Sequence, residues 1–345
     1  MRKLALDDVR LRLQAVRRNM RDEGIDGLIV SDPSDVRYLC GHEHESLQLL
    51  VTPRSQYLVT VLRGIQRARE RSVGFTIVDP EKTRGSLQAL VQKHKLETLG
   101  VNGRMPHTQF LDLRKRMRPA KLKLSKAVSD ARAVNSPGEI KLLRRAQREA
   151  EKIFDVFVGL IEPGLTELHL HNRLIQLILD NESLEGPSFE PIVSSGTNSW
   201  TFHSRCTNRR LRKTDCIIID MGVRCQGYCS DMTRTVFLGK PTKRMREAYA
   251  TVHEAQQRAI NTIRAAGYAP WHGLGHGLGL DTHDYPVPGL TSANKRPLQA
   301  NMVLTVEPGI YIKDAFGVRI EDTVVVTRGG CENITRASKE LTVVG

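Results

Sequence analysis

IIIDMGVRCQGYCSDMTRTV, residues 217–236, opens on three isoleucines, closes on alternating β-formers and carries an acid near each end. An apolar run bounded by turn residues reads as a buried strand, and Gly227 allows the chain to reverse. The stretch is therefore a hairpin with Asp220 on one arm and Asp231 on the other. Centred on Cys225-Gln226, it sets those two acids opposite each other. A second hairpin, TVEPGIYIKDAFGVRIEDTVVV at residues 305–326, places Glu307 and Glu321 symmetrically about Asp314. Directly opposed residues on antiparallel arms have Cβ atoms roughly 4.5–5.5 Å apart, where like charges destabilise the pair. A chain that does this twice among valines and isoleucines needs cations to neutralise the site.

Between the hairpins lies WHGLGHGLGLDTHDYP, residues 271–286, with three histidines and four glycines in sixteen positions. Glycine at every second position from Gly273 to Gly279 is unsuited to a helix interior and lets backbone or ligand approach closely. Either hairpin alone reads as strands with solvent-facing acids. Both together, with the histidine stretch, read as a metal site. Oxygen ligands plus an imidazole suit Mn²⁺, Co²⁺, Fe²⁺ or Zn²⁺, and the set is too poor in sulfur for structural zinc. Four carboxylates and a histidine are the complement for two divalent metal ions about 3.5–4 Å apart.

Upstream, NSPGEIKLLRRAQREAEKIFDVFVGLIEPG begins a long helix: Ser136 caps it, Pro137 takes the first helical position and Glu139 completes a capping box. The residues before it alternate between helix and strand patterns, with an amphipathic helix ending at Gly24 and strands in IDGLIVSD, SDVRYLCG, LQLLVTP, SQYLVTV, FTIVDP and ETLGVNG. The expected organisation is an α/β N-terminal domain over residues 1–131 and an α+β domain over residues 132–345. In the second domain helices then antiparallel strands occur twice, an internal pseudo-repeat.

Composition narrows the classes further. The 345 residues are 40% hydrophobic and 26% charged, as in a globular chain, and no apolar run approaches a membrane span. The charged N-terminus lacks the apolar core of a signal peptide. Six scattered cysteines without paired spacing imply free thiols and a cytoplasmic setting. The net charge of +14 is densest in RKRMRPAKLKLSK, residues 114–126, and in NRRLRK, residues 208–213. Neither run is interleaved with stacking aromatics or joined to a helix-turn-helix or finger pattern, so a solvated basic surface is expected, not a nucleic-acid partner.

The motifs DMG…SDMTRT, GHGLGLDTH, EPGIY and GVRIED together resemble the pita-bread metallopeptidases, the family of Xaa-Pro dipeptidase, aminopeptidase P and methionine aminopeptidase. SDPSDVRYLCG, residues 31–41, resembles the strand and turn of the creatinase-like N-terminal domain that the first two carry. The resemblance implies five metal ligands, Asp220, Asp231, His276, Glu307 and Glu321, with Asp231 and Glu321 shared between two ions. It also implies that His203 and His283 face the substrate, that His272 and Arg319 line its pocket, and that Glu307 moves a proton to the leaving amine. The implied activity is hydrolysis of the bond preceding proline, in peptides with proline in the second position, by a water bridging the metals. A homodimer is implied as well.

The sequence departs from this pattern in two places. After TKRMREAYATVHEAQQRAINTIRAAG the expected Pro-Gly break and second helix are missing, a shortfall of roughly twenty residues against the first half of the repeat. VTVLRGIQRA stands where an Asp-x-Arg-Tyr element is usual. Two other functions compete: a non-catalytic binding protein on the same fold, using the basic surface, and creatinase-type chemistry. Retention of all five ligands favours the metallopeptidase.

Overall fold

The computed structural model describes residues 4–44, 46–79, 86–266, 274–286 and 297–345. They form two compact units, residues 1–132 and 133–345.

The first unit is built on a six-stranded mixed sheet: β1 (Gly27–Val30), β2 (Gln48–Val51), β3 (Gln56–Val59), β4 (Thr76–Val78), β5 (Thr98–Asn102) and β6 (Lys121–Ser125), in the order β4-β3-β2-β1-β5-β6. Six helices accompany it: α1 (Leu6–Asp22), α2 (Pro33–Cys40), α3 (Ile65–Arg71), α4 (Leu87–Lys93), α5 (His107–Arg116) and α6 (Ala127–Arg132). Ile29, Leu50, Leu99 and Val101 of the sheet pack with Leu90 and Leu113 of the helices. One expectation fails here. SDVRYLCG is helix α2, not a strand. Asp32 caps it by accepting from the Asp35 N–H, Pro33 fixes the first turn, and Gly41 ends it at φ 80°. Start and stop signals outweigh the β-branched and aromatic side chains between them.

The second unit begins at α7 (Pro137–Val158), whose capping box of Ser136 and Glu139 is present as the sequence predicts. After the turn at 159–166 comes α8 (Glu167–Leu179). The strands β7 (Gly186–Pro187), β8 (Ile192–Ser195), β9 (Cys216–Met221), β10 (Val223–Cys225), β11 (Tyr228–Cys229) and β12 (Met232–Leu238) follow. Then α9 (Lys243–Ala266) leads towards β13 (Val303–Val306), β14 (Gly309–Ile312), β15 (Phe316–Arg319), β16 (Asp322–Thr327), β17 (Gly330–Asn333) and β18 (Thr342–Val344). Residues 267–273, where the shortened connection is expected, lie outside the described residues, as does His272. Among the described residues no helix is long and apolar enough to cross a membrane.

Both predicted hairpins are present, and each changes sheet partway along. The first passes from the sheet β18-β12-β9-β8 into the sheet β11-β10-β7, and the second from β13-β16-β17 into β14-β15. Asp231, Glu307 and Glu321 occupy the short joints between strands, where the arms bend. In the second hairpin the register follows the expectation, with Val306 opposite Asp322 and Gly309 opposite Arg319 on either side of Glu307 and Glu321. In the first it does not. Thr233, not Asp231, lies opposite Asp220, because the reversal is at Gln226-Gly227 with Cys225 opposite Tyr228. Both turn residues have positive φ, 50° and 90°, the signature of a tight two-residue loop. A centre placed one residue too early moves the pairing by two.

Candidate metal centre

The two hairpins meet along β12 and residues 319–323. The Glu321 N–H donates to the Thr233 carbonyl, Thr235 Oγ1 donates to the Arg319 carbonyl, and Thr323 Oγ1 donates to the Asp231 carbonyl. This antiparallel contact brings Asp231 and Glu321 side by side from different hairpins. Both are almost wholly buried, at 3% and 2% exposure. Thr233 Oγ1 donates to Glu321 Oε2 at 2.8 Å. The threonine found where Asp231 was expected thus orients one of the acids.

Residues 274–278 run antiparallel beside β13. The Glu307 N–H donates to the Leu274 carbonyl, the Thr305 N–H to the His276 carbonyl and the Leu278 N–H to the Val303 carbonyl. The glycines explain how the segment fits. A Cβ on Gly275 would stand 1.8 Å from the Thr305 carbonyl oxygen, and one on Gly277 2.4 Å from that of Asp284. His276 is thereby held with Nε2 3.5 Å from Asp231 Oδ2 and 3.5 Å from Glu307 Oε1. Its Nδ1 lies 3.1 Å from the Gly277 carbonyl, which can only accept, so Nδ1 carries the proton and the Nε2 lone pair, on the side of the acids, is left to ligate a cation.

Asp220 enters from β9. Its Oδ2 accepts from Arg319 at 2.5 Å, while its Oδ1 is buried with no hydrogen-bond partner. Arg319 is only 1% exposed and also donates to Thr233 Oγ1, the Phe202 carbonyl and the Tyr311 hydroxyl. The His283 ring stacks obliquely on His276, with centroids 4.2 Å apart. His203 is exposed on the loop after β8, against the Phe202 ring at 4.5 Å, and near enough to His283 to depress its pKa. Of the nine predicted site residues, eight are described, and they converge on this one place. Thr233, Thr305 and Tyr311 were not anticipated. The alternation of Thr233 and Thr235 with Asp231 on one strand face was the available signal.

Burial dominates the electrostatics. Burial, and then the charges of neighbouring acids, raise Asp231 and Glu321 well above the carboxylate range. Burial lifts Glu307 to about 7 despite the opposing charge of Arg319. Burial also holds His276 down at about 4, so its imidazole is neutral near pH 7. A buried group of acids that must retain protons, beside a neutral imidazole and an orphaned carboxylate oxygen, fits a divalent cation. Asp231, His276 and Glu321 can each offer an atom within 4.8 Å of the others, so these three are the nucleus of such a site. The donor set of hard oxygens and one nitrogen suits first-row divalent ions.

Fold and site define a metallopeptidase-type centre on an α+β domain that follows an α/β domain in the sequence. Comparison with known proteins makes this specific. The family model of metallopeptidase family M24 matches residues 141–271 and 261–328, and that of the creatinase/prolidase N-terminal domain matches residues 12–134. The chain belongs to metallopeptidase family M24. Among curated relatives, an Xaa-Pro dipeptidase of Pyrococcus horikoshii is 28% identical, over 93% of this chain and 96% of that one. Among solved structures, an Xaa-Pro dipeptidase from Bacillus anthracis superposes with a TM-score of 0.89 at 28% identity, covering 97% of this chain and 100% of the other. An X-Pro aminopeptidase from Thermotoga maritima superposes at 0.82 with 28% identity, covering 95% and 100%. The chain is thus an enzyme of a divalent-metal family, with a creatinase-like N-terminal domain and a pita-bread C-terminal domain.

Proposed function

We propose that the protein hydrolyses the peptide bond preceding proline, in substrates with proline as the second residue, using two divalent cations. The observation that carries this is the buried cluster of Asp220, Asp231, His276, Glu307 and Glu321, in a chain similar end to end to Xaa-Pro dipeptidases. On this reading Asp231 and Glu321 would hold the ions jointly, with Asp220 on one side and His276 and Glu307 on the other. The joints of the two hairpins form the centre of a pseudo-repeat.

Bound divalent cations supply Lewis acidity and make water a competent nucleophile near neutral pH. The chain's own residues do the remaining work. His283, close to Asp220, and His203, close to His283, donate N–H groups to the carbonyl oxygen as charge develops there. Burial keeps His283 below its ordinary pKa, so it donates as a neutral ring without repelling the cations. Glu307, on the inner edge beside His276, passes a proton to the departing proline nitrogen. Arg319 is too buried to meet solvent; it shapes the pocket by fixing the Phe202 carbonyl and the Tyr311 hydroxyl.

The test is release of the N-terminal residue from Xaa-Pro dipeptides, which also frees proline, and from longer Xaa-Pro peptides, with metal content measured on the same sample. Chelation is expected to abolish release, and Mn²⁺ or Co²⁺ to restore it. Full activity in exhaustively metal-free protein would overturn the proposal.

A further inference from the structure

Outside the metal centre, a fully buried acid with six hydrogen bonds and no assigned role is Glu167, at the first turn of α8. Its Oε1 accepts from the Ser195 N–H at 2.8 Å, Ser195 Oγ at 2.8 Å and Asn198 Nδ2 at 3.2 Å. Its Oε2 accepts from Asn198 Nδ2 at 2.9 Å, the Thr207 N–H at 3.0 Å and Thr207 Oγ1 at 2.6 Å. All these donors belong to one segment, and they sit at or near its two ends. Ser195 closes β8 and Thr207 lies twelve residues on, so a single carboxylate pinches the loop shut at its neck. Closed ends with a packed interior are the marks of an Ω-loop.

What the loop carries gives the neck its purpose. Phe202 and His203 lie at its far side, and the Phe202 carbonyl accepts from Arg319 at 3.2 Å. The Phe202 ring is 45% exposed, lies over the Arg319 guanidinium at 5.1 Å and meets Tyr311 edge-on at 5.5 Å. Ser199 Oγ accepts from the Gly317 N–H at 2.8 Å, which ties the middle of the loop to β15, two residues from Arg319. Arg209, paired with Asp215, donates to Ser195 Oγ at 2.7 Å, so the neck is backed by an ion pair.

We propose that Glu167 is a positioning residue for substrate: by closing the Ser195–Thr207 loop it holds His203 and Phe202 against the metal centre. Phe202 then presents an apolar face to the substrate and His203 a hydrogen-bond donor, while Glu167 touches neither substrate nor metal. This rests on the peptidase reading above.

The experiment combines kinetics with amide exchange in the full-length, metal-loaded protein. Glu167→Gln replaces one accepting oxygen by an NH₂ group that faces donors, and is expected to lower kcat/KM for an Xaa-Pro dipeptide about tenfold with metal content unchanged. His203→Ala is expected to lower it about a hundredfold, the lower range for a positioned donor. Because Glu167 acts through the loop that carries His203, its loss should cost clearly less in the His203→Ala background than alone, the remainder being the share carried by Phe202, since groups acting as a unit are not additive. The Ser195 and Thr207 amides should exchange faster in Glu167→Gln, with the β9 amides Ile217 to Ile219 unchanged. Additive losses in the double variant, or unaltered exchange at Ser195 and Thr207, overturn the proposal. If Glu167→Gln does not fold, Thr207→Val removes one donor and decides the matter by the same two readouts. A wild-type protein that releases no proline refutes the peptidase reading instead, and the exchange measurement still reports on the neck.

Discussion

Each hairpin brings two acids to the site, Asp220 and Asp231 on the first and Glu307 and Glu321 on the second, but the two turn differently, and the turns decide how those acids face. The second reverses through the three residues Lys313 to Ala315, with Asp314 at φ 57°, and Glu307 and Glu321 fall at matched positions on its arms. The first reverses through Gln226-Gly227, which leaves Asp220 opposite Thr233 and Asp231 two places further along. Matched acids repel at close range, whereas diagonal ones lie about 7–8 Å apart on one face. Each hairpin contributes one acid, Asp231 or Glu321, to the tight group with His276. The first hairpin's other acid, Asp220, is left to pair with Arg319.

That contrast predicts unequal losses. Asp231→Asn should remove both ions and cut proline release by at least about a hundredfold, the loss that even an outer partner of a metal ligand can cause. Asp220→Asn should remove one ion and leave the other. Metal content per chain distinguishes the two, and two retained ions in Asp231→Asn would break the comparison.

A smaller effect appears in the pH dependence of the metal-free protein. Folding raises the Glu307 pKa from the ordinary carboxylate range to about 7, so the folded state binds the extra proton. That contribution is complete below the unfolded pKa and is lost as pH rises towards 7. A shift of this size corresponds to roughly 3 kcal/mol, so denaturation midpoints of metal-free protein should fall across this window. Glu307→Gln should flatten the fall. Metal-loaded protein should show the opposite trend, because cations bind the deprotonated acids. Identical profiles with and without metal would refute this.

The least effect concerns the turns themselves. Gly227 at φ 90° should lose about 1–2 kcal/mol on mutation to Ala, the cost of a Cβ in left-handed backbone. Asp314→Gly should change stability by less than about 1 kcal/mol, since Asp tolerates that region and Gly gains entropy when unfolded. Thermal unfolding of both variants ranks the turns, and equal losses would show that turn geometry is not what separates the hairpins.

The sequence made some features plain because their causes are local. The capping box at Ser136 and Glu139, the acids on two apolar hairpins and the glycine spacing around His276 are each complete within a few residues. Helix α2 was misread because Tyr38, Leu39 and Cys40 resemble a strand, while the deciding signals, Asp32, Pro33 and Gly41, lie at its edges. The pairing of the first hairpin turned on which residues adopt positive φ, which a run such as Cys-Gln-Gly-Tyr leaves open by one position. Glu167 gave no sign at all. It looks like an ordinary first-turn acid, and its six hydrogen bonds depend on Ser195, Asn198 and Thr207, about thirty to forty residues away in sequence, which only folding brings into reach.

Arg319 has a consequence for the chain as a polymer. Its guanidinium joins strand β15 to partners 86, 99 and 117 residues distant, at Thr233, Asp220 and Phe202. Loops of that length are costly to close, and the cost grows only slowly with length. One side chain that closes three of them at a shared point therefore acts as a rivet. A guanidinium keeps its charge throughout the range in which the neighbouring acids and imidazoles exchange protons. Its bonds to the Thr233 hydroxyl and the Phe202 carbonyl need no ionised partner, so this side of the pocket keeps its outline while the charge of its neighbours changes.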